Sequence, residues 1–192
     1  MDEKEHGREL MLRLQDGDDA AFTELVERYE RLVLNFASRH IGDERKAEDI
    51  AQEAFLRVYK ARHTWRPDAS FRTWLLTIVT RLCLNELRAR TRERRVMHLV
   101  SGGPEGDFWS SAVDPKGSTP ADLTLARERA EIVRRAVDTL SVNQRAALLL
   151  HRFEGLSYKE VAEVLGISIG TVMSRIFNAR QRLRELLATE IG

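Results

Sequence analysis

A single cysteine, Cys83, sits in an apolar run, with no second thiol to pair with it. One cysteine excludes an internal disulfide and suits a reducing compartment, so a cytoplasmic location is expected. The five histidines are scattered, none at ligand spacing from the cysteine, so neither a metal nor a cofactor is expected. No stretch approaches the ~18 apolar residues of a membrane-crossing helix. The first ten residues lack an apolar core, so no secretory signal is expected. Net charge is only +1, so any affinity for nucleic acid must come from where the charges sit. No convincing strand pattern occurs anywhere. What remains is a globular composition, 43% hydrophobic and 32% charged, with apolar residues at helical spacing.

The stretch from Leu156 to Leu187 organises the rest. Ser157 is a good N-cap, and Glu160 three residues on completes a capping box. Val161, Ala162 and Leu165 give one apolar stripe, and Gly166 suits the left-handed position that ends a helix. Ser168 can cap a second helix, in which Val172, Ile176, Ala179, Leu183 and Leu186 face inward together. The opposite face carries Thr171, Ser174, Arg175, Asn178, Gln181 and Arg182, and Ser168 to Arg184 holds four arginines and no acid. A short helix, a glycine turn and a second helix with a cationic outer face form the layout of a helix-turn-helix. Gly166-Ile167-Ser168-Ile169-Gly170 also matches the G-x-S-x-G nucleophile elbow. That motif requires a buried strand before the serine. A charged amphipathic helix precedes it here, which argues against a serine hydrolase.

Along the chain, Leu10 and Leu14 predict a short helix ending near Gly17. Phe22 through Phe36 predict a second helix, to about Arg39, with Gly42 as its stop. Ala47, Ile50, Ala51, Ala54, Phe55 and Val58 predict a third, from about Glu44 to Arg62, with Asp49, Gln52 and Glu53 on its other face. A loop over 63–69 leads to a long helix capped by Ser70. That helix turns basic, with six arginines against two acids between Arg81 and Arg95, as a phosphate-tracking surface would. Glycine, proline, serine and aspartate dominate 101–120, which reads as a linker, with Phe108 and Trp109 as candidates to dock on a neighbouring surface. Thr119-Pro120 opens a helix to about Leu140, and Ser141 with Gln144 predicts a capping box for a helix to about Phe153. Gly155 breaks that helix. The expectation is all-α: two small helical domains joined by a flexible linker.

Four short motifs then carry a resemblance. Asp49-Ile50-Ala51-Gln52-Glu53-Ala54-Phe55 resembles D-x-x-Q-E-x-F, and Phe71-Arg72-Thr73-Trp74-Leu75 resembles F-x-x-W-L, both of the sigma-2 domain. Leu156 to Ala162 resembles L-S-Y-x-E-I-A, and Gly170 to Arg175 resembles G-T-V-x-S-R, both of sigma-4. In that order over nearly the whole chain, they resemble a bacterial RNA polymerase sigma factor of the extracytoplasmic-function group.

The resemblance implies a dissociable specificity subunit rather than an enzyme. A sigma-2-like domain over 1–95 would bind core polymerase and read and melt the downstream promoter element. A linker over 96–120 and a sigma-4-like domain over 121–192 would follow, the latter reading the upstream element. It implies core contacts at Asp49, Gln52 and Glu53. Downstream DNA contacts fall on Trp65, Arg72, Thr73, Trp74, Arg81, Asn85 and Arg88, with the aromatic rings as candidates to stack on unpaired bases. Upstream contacts fall on Ser168, Thr171, Met173, Ser174, Arg175, Phe177, Asn178 and Arg182. It also implies an anti-sigma factor that wedges between the domains, and a monomer when free of partners. Arg81 and Asn85 depart from the family's asparagine and aspartate, and Met173 and Asn178 occupy positions often held by arginine. Those departures bear on which promoter is read. A stand-alone helix-turn-helix regulator, binding a palindrome without polymerase, is the alternative.

Overall fold

The computed structural model describes residues 3–68, 70–100, 132–133 and 135–191. The chain divides into two units, Met1–Trp109 and Ser110–Gly192. Among the described residues every regular element is helical.

Among its described residues the first unit holds four α-helices: α1 (Glu3–Gln15), α2 (Asp19–Ile41), α3 (Glu44–Lys60) and α4 (Phe71–Val100). Asp18 opens α2 by accepting from the Ala20 amide, and Gly42, at φ 75°, closes it with its N–H on the Ser38 carbonyl. Asp43 caps α3 in turn, accepting from Lys46 N at 3.1 Å. Leu25, Tyr29, Val33 and Phe36 of α2 recur at three and four residues and are buried with Ala54 and Val58 of α3 and Phe71, Leu75 and Val79 of α4. Phe71 stands edge-on to Tyr29 with ring centroids 4.9 Å apart. Helix α1 comes so close that a Cβ at Gly7 would collide with the Tyr29 hydroxyl.

Two boundaries differ from expectation. Helix α3 stops at Lys60, and a 3₁₀ turn follows over Arg62–Thr64. There Thr64 Oγ1 donates to the Ala61 carbonyl and Arg62 to the Tyr59 carbonyl, bonds that compete with continued α-helix. Helix α4 runs to Val100, past residue 95, because neither glycine nor proline interrupts it before Gly102. The segment 101–120, with Phe108 and Trp109, and the helix start at Thr119-Pro120 lie outside the described residues.

In the second unit, residues 135–138 are helical and lead through Leu140 to α5 (Val142–Arg152), α6 (Tyr158–Leu165) and α7 (Ile169–Ile191). The Ser141–Gln144 capping box is formed. Leu140, Leu148 and Ala179 pack together, with Leu183 against them. The His151 ring donates from Nδ1 to the Leu156 carbonyl at 2.8 Å and lies 4.7 Å from the Tyr158 ring, holding the α5–α6 connection.

Candidate nucleic-acid interface

The helix-turn-helix of α6 and α7 is capped by local chemistry at the start of each helix and at the turn between them. Ser157 Oγ accepts from the Glu160 amide at 3.2 Å, while Glu160 Oε2 accepts from Ser157 N at 2.9 Å. Gly166 adopts φ 64°, φ space that L side chains rarely enter, and its N–H reaches back to the last carbonyls of α6. Ser168 Oγ then accepts from the Thr171 amide at 3.2 Å and opens α7. Ser168 in this structure is an exposed helix cap after a turn, not a nucleophile on a strand–helix elbow.

The body of α7 is anchored by Val172, Ile176 and Ala179, all within 2% of full burial. That anchoring turns Ser174, Asn178, Gln181 and Arg182 outward as exposed side chains, with Thr171 and Arg175 half-buried at the edge. Among the described residues no ion pair holds Arg175, so its charge is not spent inside the unit. Arg182 lies 3.9 Å from Glu185, a long exposed pair of little energy. Met173 and Phe177 are also exposed, at 52% and 66%.

In the first unit, Arg81, Asn85 and Arg88 are exposed at four- and three-residue spacing along one face of α4. Arg92 is exposed one turn further on; the side chains of Arg94 and Arg95 lie outside the described residues. Of the two acids of this stretch, Glu86 accepts from Arg90 Nε at 3.0 Å, and Glu93 is exposed next to Arg92. Arg90 also reaches Asp43 at 3.1 Å and the Ile41 carbonyl at 3.3 Å, tying α4 to the α2–α3 junction. Arg90 is therefore structural, and the exposed cations are Arg81, Arg88 and Arg92.

Arg72, Thr73 and Trp74 open α4, each half-buried, with the Trp74 ring tilted 6.1 Å from Phe71. Trp65 departs from expectation. It is 2% exposed, so its faces are already covered and it offers no ring for a base to stack on. The loop that holds it is pinned from α1, where Gln15 Nε2 donates to the Arg62 carbonyl at 2.7 Å and to the Trp65 carbonyl at 3.0 Å. These partners are 47 and 50 residues apart in sequence, beyond the reach of local pattern.

Asp49 and Gln52 are exposed on α3, and Glu53 is half-buried beside them with Arg57 Nε at 2.7 Å. Gln52 also borders an apolar groove of about 670 Å³ between α2 and α3, lined by Phe22, Val26, Leu34, Phe55 and Leu56 among others. Leu56 is 44% exposed there. Periodicity alone missed the groove, because Leu56 lies off the buried stripe and reads as a lone surface leucine.

Among the described residues no group of three or more His, Cys, Asp or Glu side chains gathers as a metal site. Nor, among them, is any helix long and apolar enough to cross a membrane. Burial raises the Cys83 thiol far above the usual range for a cysteine.

Comparison with known proteins bears on both units. The family model for Sigma-70 region 2 matches residues 25–93, and that for Sigma-70, region 4 matches residues 130–183. The chain is 34% identical to the RNA polymerase sigma-H factor of Pseudomonas aeruginosa over 185 residues, covering 96% of this chain and 95% of that one. It is 37% identical to the ECF RNA polymerase sigma-E factor of Escherichia coli over 176 residues, 91% of this chain and 90% of that one. Among solved structures, CnrH in complex with the cytosolic domain of CnrY matches with a TM-score of 0.68 at 28% identity, over 96% of this chain and 98% of that one. RpoE in complex with the anti-sigma factor NepR from Bartonella quintana matches with a TM-score of 0.64 at 28% identity, over 87% and 96%.

Proposed function

The chain belongs to the sigma-70 family of bacterial RNA polymerase sigma factors, in its extracytoplasmic-function group, and from that premise we infer how its residues divide the work. It is an initiation factor rather than an enzyme: it binds core RNA polymerase and directs promoter-specific transcription. Core polymerase docks on the exposed side of α3 through Asp49, Gln52 and Glu53, with the α2–α3 groove receiving apolar side chains beside them. The Arg81, Asn85 and Arg88 face of α4 tracks the downstream element, and Arg72, Thr73 and Trp74 stand near the separating strands. Trp65 serves as the packed support of that region.

Upstream recognition runs through α7. Ser168 and Thr171 stand at its N-terminus, where backbone amides and the helix dipole favour phosphate. Ser174, Arg175 and Asn178 reach base edges, Met173 and Phe177 supply apolar contact, and Arg182 holds a phosphate. An anti-sigma factor, like the one in the RpoE–NepR complex, controls access to both units. The site of action is the cytoplasm, and the setting is a stress or envelope response.

The observation that carries this reading is the exposed side of α7, where polar and cationic side chains stand beside an apolar ridge with no acid between Ser168 and Arg184, behind a capped turn. Footprinting of reconstituted holoenzyme tests it. Protection of two unlike elements, one upstream and one around the melted start region, is expected. A palindromic footprint given by the chain without polymerase would instead identify a stand-alone regulator.

A further inference from the structure

Helix α7 carries an apolar ridge that its phosphate and hydrogen-bonding contacts do not explain. Ile169, Met173 and Phe177 are 46%, 52% and 66% exposed. They stand four residues apart, so at ~100° per residue each is displaced only ~40° around the helix from the one before. The ridge borders the outward line through Gly170 and Ser174, and Asn178 lies on the other side of that line. It occupies the first turns of α7, the part of a recognition helix that approaches base edges.

Three large apolar side chains exposed in one line point to an occupant. The surrounding charge narrows what that occupant is. Arginines flank the ridge along α7, and no acid stands between Ser168 and Arg184, so charge complementarity selects a polyanion. Duplex DNA is a polyanion that also presents apolar groups, since its major groove carries the C5 methyl of every thymine. The spacing is compatible. Side chains four residues apart are separated by ~6 Å along the helix, close to two steps of ~3.4 Å along a DNA strand.

We propose that Ile169, Met173 and Phe177 read thymine methyl groups in the major groove, so that the upstream element of this factor's promoters is selected for T·A pairs beneath the ridge. The inference rests on upstream recognition by α7 and specifies what that helix recognises. Met173 takes the central contact and Phe177, the most exposed of the three, the outer one. A helix with arginine at position 173 would select guanine instead, by a bidentate contact to O6 and N7.

The test replaces thymine by deoxyuridine, which removes the methyl and leaves every base-pairing and groove hydrogen bond in place. Holoenzyme, formed from core polymerase and the full chain, first selects duplexes from a library randomised over the upstream element. Each thymine of a selected duplex is then changed singly to deoxyuridine, and binding is measured by competition. At one or more positions the wild-type holoenzyme should lose about fourfold in affinity, the fold-change equivalent to ~0.8 kcal/mol for one buried methylene-sized group. Holoenzymes carrying Met173→Ala or Phe177→Ala should lose that sensitivity while binding core as well as the wild type. Wild-type binding that is indifferent to every deoxyuridine overturns the proposal, as does equal methyl sensitivity in both variants. Weakened core binding by the variants, with no methyl effect, also overturns it and assigns the ridge to a protein contact. If scrambling the whole upstream element changes nothing, upstream recognition by α7 is itself wrong, and that outcome is distinct from loss of the methyl effect alone.

Discussion

Arg145 and Asp138 form an ion pair across the start of α5, with Arg145 Nη1 2.9 Å from Asp138 Oδ1. The Arg145 side chain is 9% exposed and that of Asp138 36%, so the guanidinium carries most of the desolvation. Burial lowers the Arg145 pKa, and the neighbouring carboxylate opposes that shift. Arg145 Nη2 also donates to the Asp138 carbonyl at 2.9 Å, which ties the end of the preceding helical segment to α5. Asp138→Ala removes the carboxylate that offsets a buried charge. It should cost ~1–2 kcal/mol, less than the ~3–5 of a fully buried pair because Asp138 is partly exposed. Denaturant unfolding followed by a probe in the second unit checks this, and a change under ~0.5 kcal/mol would refute it.

Core binding should depend on the exposed side of α3. Gln52→Ala with Glu53→Ala should weaken binding to core polymerase while leaving the fold intact. The Glu53–Arg57 pair lost with the substitution is exposed and worth only ~0.2–1 kcal/mol. Titration against core enzyme beside circular dichroism separates the two effects, and unchanged affinity would reject the assignment.

Asn178 and Arg182 should differ in kind. Asn178→Ala should cost ~1–3 kcal/mol of discrimination at one base pair of the upstream element. Arg182→Ala should weaken all sequences alike and flatten the salt dependence of holoenzyme binding. A salt series on matched and singly substituted upstream elements measures both. An unchanged base preference in Asn178→Ala at every position would remove that residue from direct readout.

The helix-turn-helix was legible in the sequence because its determinants are local. Ser157 and Glu160, Gly166, and Ser168 with Thr171 act across four residues or fewer, and each cap formed as its residue type requires. Trp65 was a candidate for base stacking because sequence shows an aromatic in a loop but not what covers it. Gln15, 50 residues earlier, holds that loop by its carbonyl, and nothing in a local pattern links the two. Arg145 was silent for a similar reason: an arginine within a helix reads as surface until its burial is known. Of the exposed ridge, Met173 and Phe177 were legible as candidate contacts, whereas Ile169 was not, because it adjoins the buried stripe in helical projection and only its exposure separates it.

Cys83 should behave as core rather than as a redox sensor. It is fully buried in α4, and burial raises its thiol far above ordinary values, leaving almost no thiolate at neutral pH. A maleimide or aromatic disulfide reagent should label it only as fast as the first unit unfolds. Rapid labelling of the native protein would contradict that placement.

That this chain gives core polymerase its promoter choice is tested by run-off transcription. Purified core polymerase is assayed with and without the chain on a panel of genomic promoters. Discrete transcripts from a subset of promoters are expected only when the chain is present, and are lost on Gln52→Ala with Glu53→Ala. Transcripts indifferent to the chain, from every promoter tested, would contradict it.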